Sequence, residues 1–189
     1  MIKITQEMLS AAQNEVARRN NYLHPHFNLG YLNEDTRQII GFLGEFACQT
    51  YLGIDWRVNI RDNYLRPDDY DFIHNGNRVD VKTETLPSMQ LVNAVTTRQI
   101  HDDKAYGRRL IVAGQYPLLT HYDMVMFGCF LRPQNSNQWN PVGQYWYPIG
   151  MIESQHILHN YQPTQYKPFG GYYPQACANI RTSELRDIA

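Results

Sequence analysis

The dipeptide Asn75-Gly76, set between alternating apolar and polar residues, constrains this chain more than any other feature. Both central positions of a two-residue type I′ turn need positive φ, which Asn and Gly accept at least cost, so the flanking residues are committed to a β-hairpin of fixed register. His74 then faces Asn77, Ile73 faces Arg78, Phe72 faces Val79, Asp71 faces Asp80 and Asp69 faces Lys82. Side chains alternate between faces. Tyr70, Phe72, Val79 and Val81 therefore form an apolar surface, and Asp69, Asp71, Asp80 and Lys82 share the other.

Opposed carboxylates repel by roughly 3 kcal/mol at a separation of about 5 Å and an effective dielectric near 20. A hard divalent cation sharing one oxygen of each acid offsets that repulsion, and Mg2+ is commonly held by one or two carboxylates together with phosphate and water. Lys82, two residues after Asp80 on the same face, is placed to stabilise developing negative charge or to orient an attacking water. The same residues also suit a surface hairpin in which Lys82 neutralises Asp69 and the other acids stay solvated.

Upstream, Asn33-Glu34-Asp35-Thr36 followed by Ile39, Ile40, Phe42, Leu43, Phe46, Ala47 and Leu52 predicts a capped amphipathic helix that stops at Gly53. Glu45 lies on it with Gly41 at the i, i+4 spacing and Gly44 alongside. Two internal glycines, each costing about 1 kcal/mol against Ala, suggest close packing on another backbone. Glu45 on a helix, then Asp71, then Asp80-Val81-Lys82 form an ordered set that resembles the PD-(D/E)xK nuclease superfamily, the restriction-endonuclease-like fold. The resemblance covers residues 33–85 well and the remainder in outline. It implies that Glu45, Asp71 and Asp80 are metal ligands, with the Val81 carbonyl as a further one, and that Lys82 is the catalytic lysine. Pro67-Asp68 spells the literal Pro-Asp of that pattern, but hairpin register selects Asp71, since Asp68 would point to the other face.

With 43% hydrophobic residues, 189 residues suffice for one substantial core, and a single domain over 1–189 is expected. Residues 5–19 predict a bracing helix capped by Thr5, with an apolar stripe of Met8, Leu9, Ala12 and Val16. Residues 109–112, 122–131 and 145–152 predict strands, the second buried on both faces, and 115–121 a short crossover helix; 91–100 fits helix or strand. Residues 132–143 and 160–175, rich in Tyr, Pro, Gln, Asn and Gly, read as loops whose tyrosines either stack on bases, fill an interface or pack back on the sheet. The fold class expected is thus α/β, a mixed central sheet flanked by helices, as the resemblance also implies.

Three widely spaced cysteines give neither a disulfide framework nor a zinc site. The start of the chain lacks a signal-peptide apolar core, so a soluble, cytoplasmic protein is expected. A net charge of −1 excludes a globally basic nucleic-acid-binding surface and leaves local contacts, for which Arg37, Arg57, Arg61, Arg66, Arg78, Lys104, Arg108 and Arg109 are candidates. No metal-ligand spacing emerges among the seven histidines, His24, His26, His156 and His159 included. The function expected is an Mg2+-dependent nuclease acting on DNA as an endonuclease, with Mn2+ as a substitute ion and with a homodimer or partner protein supplying selectivity. The alternative is a catalytically inactive module of the same fold that binds nucleic acid or serves assembly.

Overall fold

In a computed structural model, residues 1–19, 34–60, 70–132 and 139–188 are described. They contain eight strands, β1 (Ile2–Lys3), β2 (Phe72–His74), β3 (Asn77–Leu86), β4 (Arg108–Val112), β5 (Met124–Leu131), β6 (Tyr145–Glu153), β7 (Thr164–Tyr166) and β8 (Tyr172–Arg181), and four α-helices, α1 (Gln6–Arg19), α2 (Glu34–Tyr51), α3 (Met89–Thr96) and α4 (Ser154–Asn160). The class is α/β. Five strands form one sheet in the order β1-β6-β5-β3-β2, and three form a second in the order β4-β8-β7. The larger sheet is mixed. The β1/β6 and β2/β3 pairs are antiparallel. In contrast, Asp123 donates its N–H to Arg78 at one end of β3 and Arg132 donates to Leu86 at the other, so β5 runs parallel to β3. Parallel neighbours need a crossover. Here the crossover is residues 87–123, which include α3, β4 and a 3-10 helix over Tyr116–His121.

The contacts divide the chain into two compact units: residues 1–68, 81–88 and 128–148, and residues 69–80, 89–127 and 149–189. In the first, Thr5 Oγ1 accepts the Met8 N–H and caps α1, whose Met8, Ala12 and Val16 are buried. The expected cap of α2, Asn33, lies outside the described residues. Its other end is closed as the sequence predicts: Gly53 has φ 75°, and Ile54 and Gly53 donate to Gln49 and Thr50, the paired bonds of a Schellman motif. The core gathers Leu43, Phe46, Phe130 and Trp146, with the Trp56 ring 4.8 Å from that of Phe46.

In the second unit, Val79, Val92, Val95, Ile111, Leu119, Val125, Ile157 and Ile180 are buried. Strand β5, whose residues are divided between the two units, is buried over all but its last residue, as an apolar run with no alternation requires. The ambiguous segment is helical as α3. It ends on Arg98 at φ 56°, where Gln99 and Arg98 donate to Ala94 and Val95. A non-glycine residue is strained there. The Arg98 guanidinium is anchored by Leu185 O at 2.8 Å and by the Asp187 carboxylate.

The expected loop at 160–175 is corrected. It contains β7 and the start of β8. Register slips between the pairs Thr164↔Cys177 and Tyr166↔Tyr172, and Pro174 sits within the slip, where a residue without an N–H breaks no regular ladder. Among the described residues no helix is long and apolar enough to cross a membrane.

Candidate active site

Asn75 at φ 49° and Gly76 at φ 78° make the predicted turn, and β2 pairs with β3 through His74↔Asn77, Ile73↔Arg78 and Phe72↔Val79. Phe72, Val79 and Val81 are buried, so the apolar face is real; Tyr70 is exposed and does not belong to it. Alternation sends Asp80, Lys82 and Glu84 to the opposite face of β3. That face is not simply solvent, because Asp80 is only 4% exposed. A carboxylate buried to this degree must be compensated by charge or hydrogen bonds, so the reading of a hairpin whose acids stay solvated does not hold for Asp80.

The apposition of Asp71 with Asp80 differs from expectation. Ladder pairing ends at Phe72↔Val79. Asp71 is a half-buried bend residue whose N–H donates to Val79 O at 2.8 Å, one residue out of register with a direct Asp71↔Asp80 pair. The physical cause is a carbonyl that takes a bond from the residue beyond the regular strand, which turns the chain out of the ladder. Asp68 and Asp69 lie outside the described residues, and so does the expected facing of Asp69 and Lys82.

In the other unit, an added Cβ on Gly44 would lie 1.9 Å from Thr83 Oγ1 and 2.6 Å from Thr83 Cβ, so the backbone of α2 rests on β3 at this point. Among the described residues nothing lies within 4 Å of a Cβ added at Gly41, which makes no such contact with them. The crossing at Gly44 and Thr83 places α2 over the face of β3 that carries Val81 and Thr83, the face opposite Lys82, with Glu45 next to Gly44 along the helix. Glu45 and Lys82 are half-buried and Val81 is buried. Asp71 and Asp80 thus belong to one unit, and Glu45, Val81 and Lys82 to the other. Among the described residues, no three His, Cys, Asp or Glu side chains are grouped as a metal cluster. As a donor set, carboxylate oxygens and a backbone carbonyl suit Mg2+ or Mn2+ rather than a thiolate-seeking or imidazole-seeking ion. The buried Asp80 fits such an ion.

Sequence reasoning missed two residues. Glu84 lies two residues beyond Lys82 on the same face of β3, half-buried, and strand alternation alone could have found it. Asp123 carries no sequence signal, since it meets Arg78 across 45 residues. Its Oδ2 accepts from the Arg78 N–H at 2.8 Å and Nε at 3.0 Å, and its Oδ1 from Nη2 at 2.9 Å. The Arg78 guanidinium, and then its backbone N–H, hold the Asp123 carboxyl down at about 2. A carboxyl depressed in the folded state contributes stability above its unfolded value near 4, and that contribution is lost as pH falls from about 4 to about 2. Asp123→Asn is accordingly expected to lower Tm at pH 7 and to flatten the decline of Tm between pH 4 and 2, as read by circular dichroism. An unchanged acid limb would remove this pair from the account.

Most of the candidate phosphate-binding cations are already engaged. Arg37 pairs with Glu34, Arg57 with Glu7 at 2.8 Å, Arg78 with Asp123 and Arg108 with Asp103 at 2.9 Å, while Arg109 is buried. Lys104 is exposed, and Arg61 and Arg66 lie outside the described residues. No known family profile, curated protein or solved structure matches this chain.

Proposed function

We propose that the chain is a Mg2+-dependent nuclease with a restriction-endonuclease-like fold that hydrolyses phosphodiester bonds in DNA as an endonuclease. The observation that carries the reading is Asp80: a carboxylate buried on the strand that follows a tight hairpin, two residues before a lysine on the same face. Asp71 at the head of the hairpin, Glu45 on α2 and the Val81 carbonyl are the further oxygen donors that the resemblance assigns to the ion. Bound there, Mg2+ supplies Lewis-acid polarisation of the phosphate and a water of lowered pKa. Lys82 then stabilises the charge that builds on the non-bridging phosphate oxygens as water attacks, or orients that water. Burial strengthens this, because a cation in a low-dielectric site interacts more strongly with developing charge than one in water.

The competing reading, a catalytically inactive module for nucleic-acid binding or assembly, is favoured by the arginines already satisfied by internal carboxylates. Metal linkage separates the two. A ligand that binds only the folded state raises Tm by mass action. Millimolar Mg2+ or Mn2+ is expected to raise Tm in the wild type and much less in Asp80→Ala, measured by differential scanning calorimetry with and without DNA. Equal shifts in both proteins, or none in either, favour the inactive module.

A further inference from the structure

The smaller sheet carries an arrangement that the nuclease reading does not use. Arg108 on β4 and Arg181 on β8 are direct partners in the ladder, so two guanidinium groups leave the same side of the sheet at the same level. Like charges in that relation are destabilising unless an anion lies between or beside them. Among the described residues Arg108 pairs with the Asp103 carboxylate and Arg181 with that of Glu184. Arg108 is also fixed by Asp102 O at 2.9 Å and Asn179 O at 3.2 Å. A guanidinium has five N–H donors, and these three bonds leave Arg108 two of them.

On the same face, two residues before Arg181, stands Asn179. It is 9% exposed, its Nδ2 donates to Cys177 O at 2.9 Å, and its Oδ1 is buried without a hydrogen-bond partner among the described residues. A buried acceptor left unsatisfied is destabilising, and a ligand donor would relieve that. Both arginines and Asn179 line an open hollow of about 710 Å3 whose other wall includes Asn160, Tyr161 and Gln162. Glu184, which also faces the hollow, is occupied by His156 at 3.0 Å and Arg181 at 3.2 Å. Residues 154–183, which supply most of this wall, contain no Asp or Glu although the chain has 18 of them.

We infer that this hollow is a nucleotide-binding site, in which Arg108 and Arg181 hold a phosphate and the amides, Asn179 Oδ1 foremost, receive the N–H edge of the base. Its size decides against phosphate alone, since pockets of roughly 300–1,000 Å3 take ligands of nucleotide size. Carboxamides at the wall match the paired donor and acceptor edge of a base. The ligand is either a free mononucleotide or the 5′-terminal nucleotide of a strand, which share this chemistry.

The test uses the whole chain in EDTA, so that binding is read without cleavage and independently of the nuclease reading. Adenosine 5′-monophosphate is titrated by calorimetry, and a fluorescein-labelled 5′-phosphorylated oligodeoxynucleotide by anisotropy. At least one is expected to bind with one site per chain. Arg181→Gln, at a side chain 55% exposed, is expected to weaken binding about tenfold or more with Tm unchanged, and Arg181→Lys to retain part of it. Competition of the oligonucleotide by the mononucleotide assigns a free ligand, and its absence assigns a strand end. No binding of either probe, equal binding by Arg181→Gln, or equal competition by inorganic phosphate or by adenosine would overturn the assignment.

Discussion

Asp80→Asn is expected to abolish Mg2+-dependent cleavage of supercoiled DNA, by roughly 10³-fold or more, the scale seen when a group acting on transition-state charge is removed. The amide keeps the volume of the side chain and withdraws its charge. The fold should survive, since the isosteric change fills the same space among the residues that bury Asp80. In metal-free buffer the variant should melt at or above the wild-type temperature, because the neutral amide lowers the carboxylate charge that the hairpin gathers beside Asp71. A gel assay on supercoiled, linear and single-stranded DNA and on RNA, with Mg2+ and with Mn2+, reads the effect. Undiminished cleavage by Asp80→Asn would move the chemistry away from β3.

A different kind of loss is expected from Gly44→Ala. One methyl group at this position would sit 1.9 Å from Thr83 Oγ1 and 2.6 Å from Thr83 Cβ. Rotating the threonine relieves the first contact but not the second, which involves an atom fixed to the β3 backbone. Helix α2 must then lift from the strand, at a cost of about 1–3 kcal/mol or more for overpacking a tight contact. Intrinsic helix propensity works in the opposite direction by about 1 kcal/mol. A fall in Tm therefore measures the steric term, whereas a rise would show that the contact yields. Since Glu45 follows Gly44 directly, cleavage should drop in the same variant even under conditions where it is fully folded.

Local chemistry explains which parts of this fold were legible. Thr5 and Gly53 close their helices through bonds made within a few residues, and Asn75-Gly76 dictates a turn from its own backbone preferences. Helix α3 was ambiguous because it has only eight residues and ends on Arg98, held at positive φ by contacts with Leu185 and Asp187 far along the chain. Strands β7 and β8 were hidden by Gly170, Gly171 and Pro174, residues that ordinarily mark loops; here the two glycines make the turn between the strands at positive φ, and Pro174 sits in a slipped register where the ladder does not need its N–H. Within the candidate site, Asp80 and Lys82 follow from strand alternation. The bend at Asp71 does not, because it depends on which N–H the Val79 carbonyl accepts.

The parallel alignment of β3 with β5 also bears on the order in which the chain assembles. The β2/β3 hairpin closes across a two-residue turn and can form within microseconds, before most other contacts exist. By contrast, the bond that starts the parallel ladder joins Arg78 to Asp123 over 45 residues, and it waits until α3 and β4 have been laid down between them. Closing such a span has an entropic cost before the ladder returns any enthalpy, so pairing of this sort is the slow step of a fold and the one most exposed to misassociation. During that interval the apolar residues of β5, destined for burial over all but the last of them, stand without β3. Misassociation of the folding chain is therefore expected to start at β5.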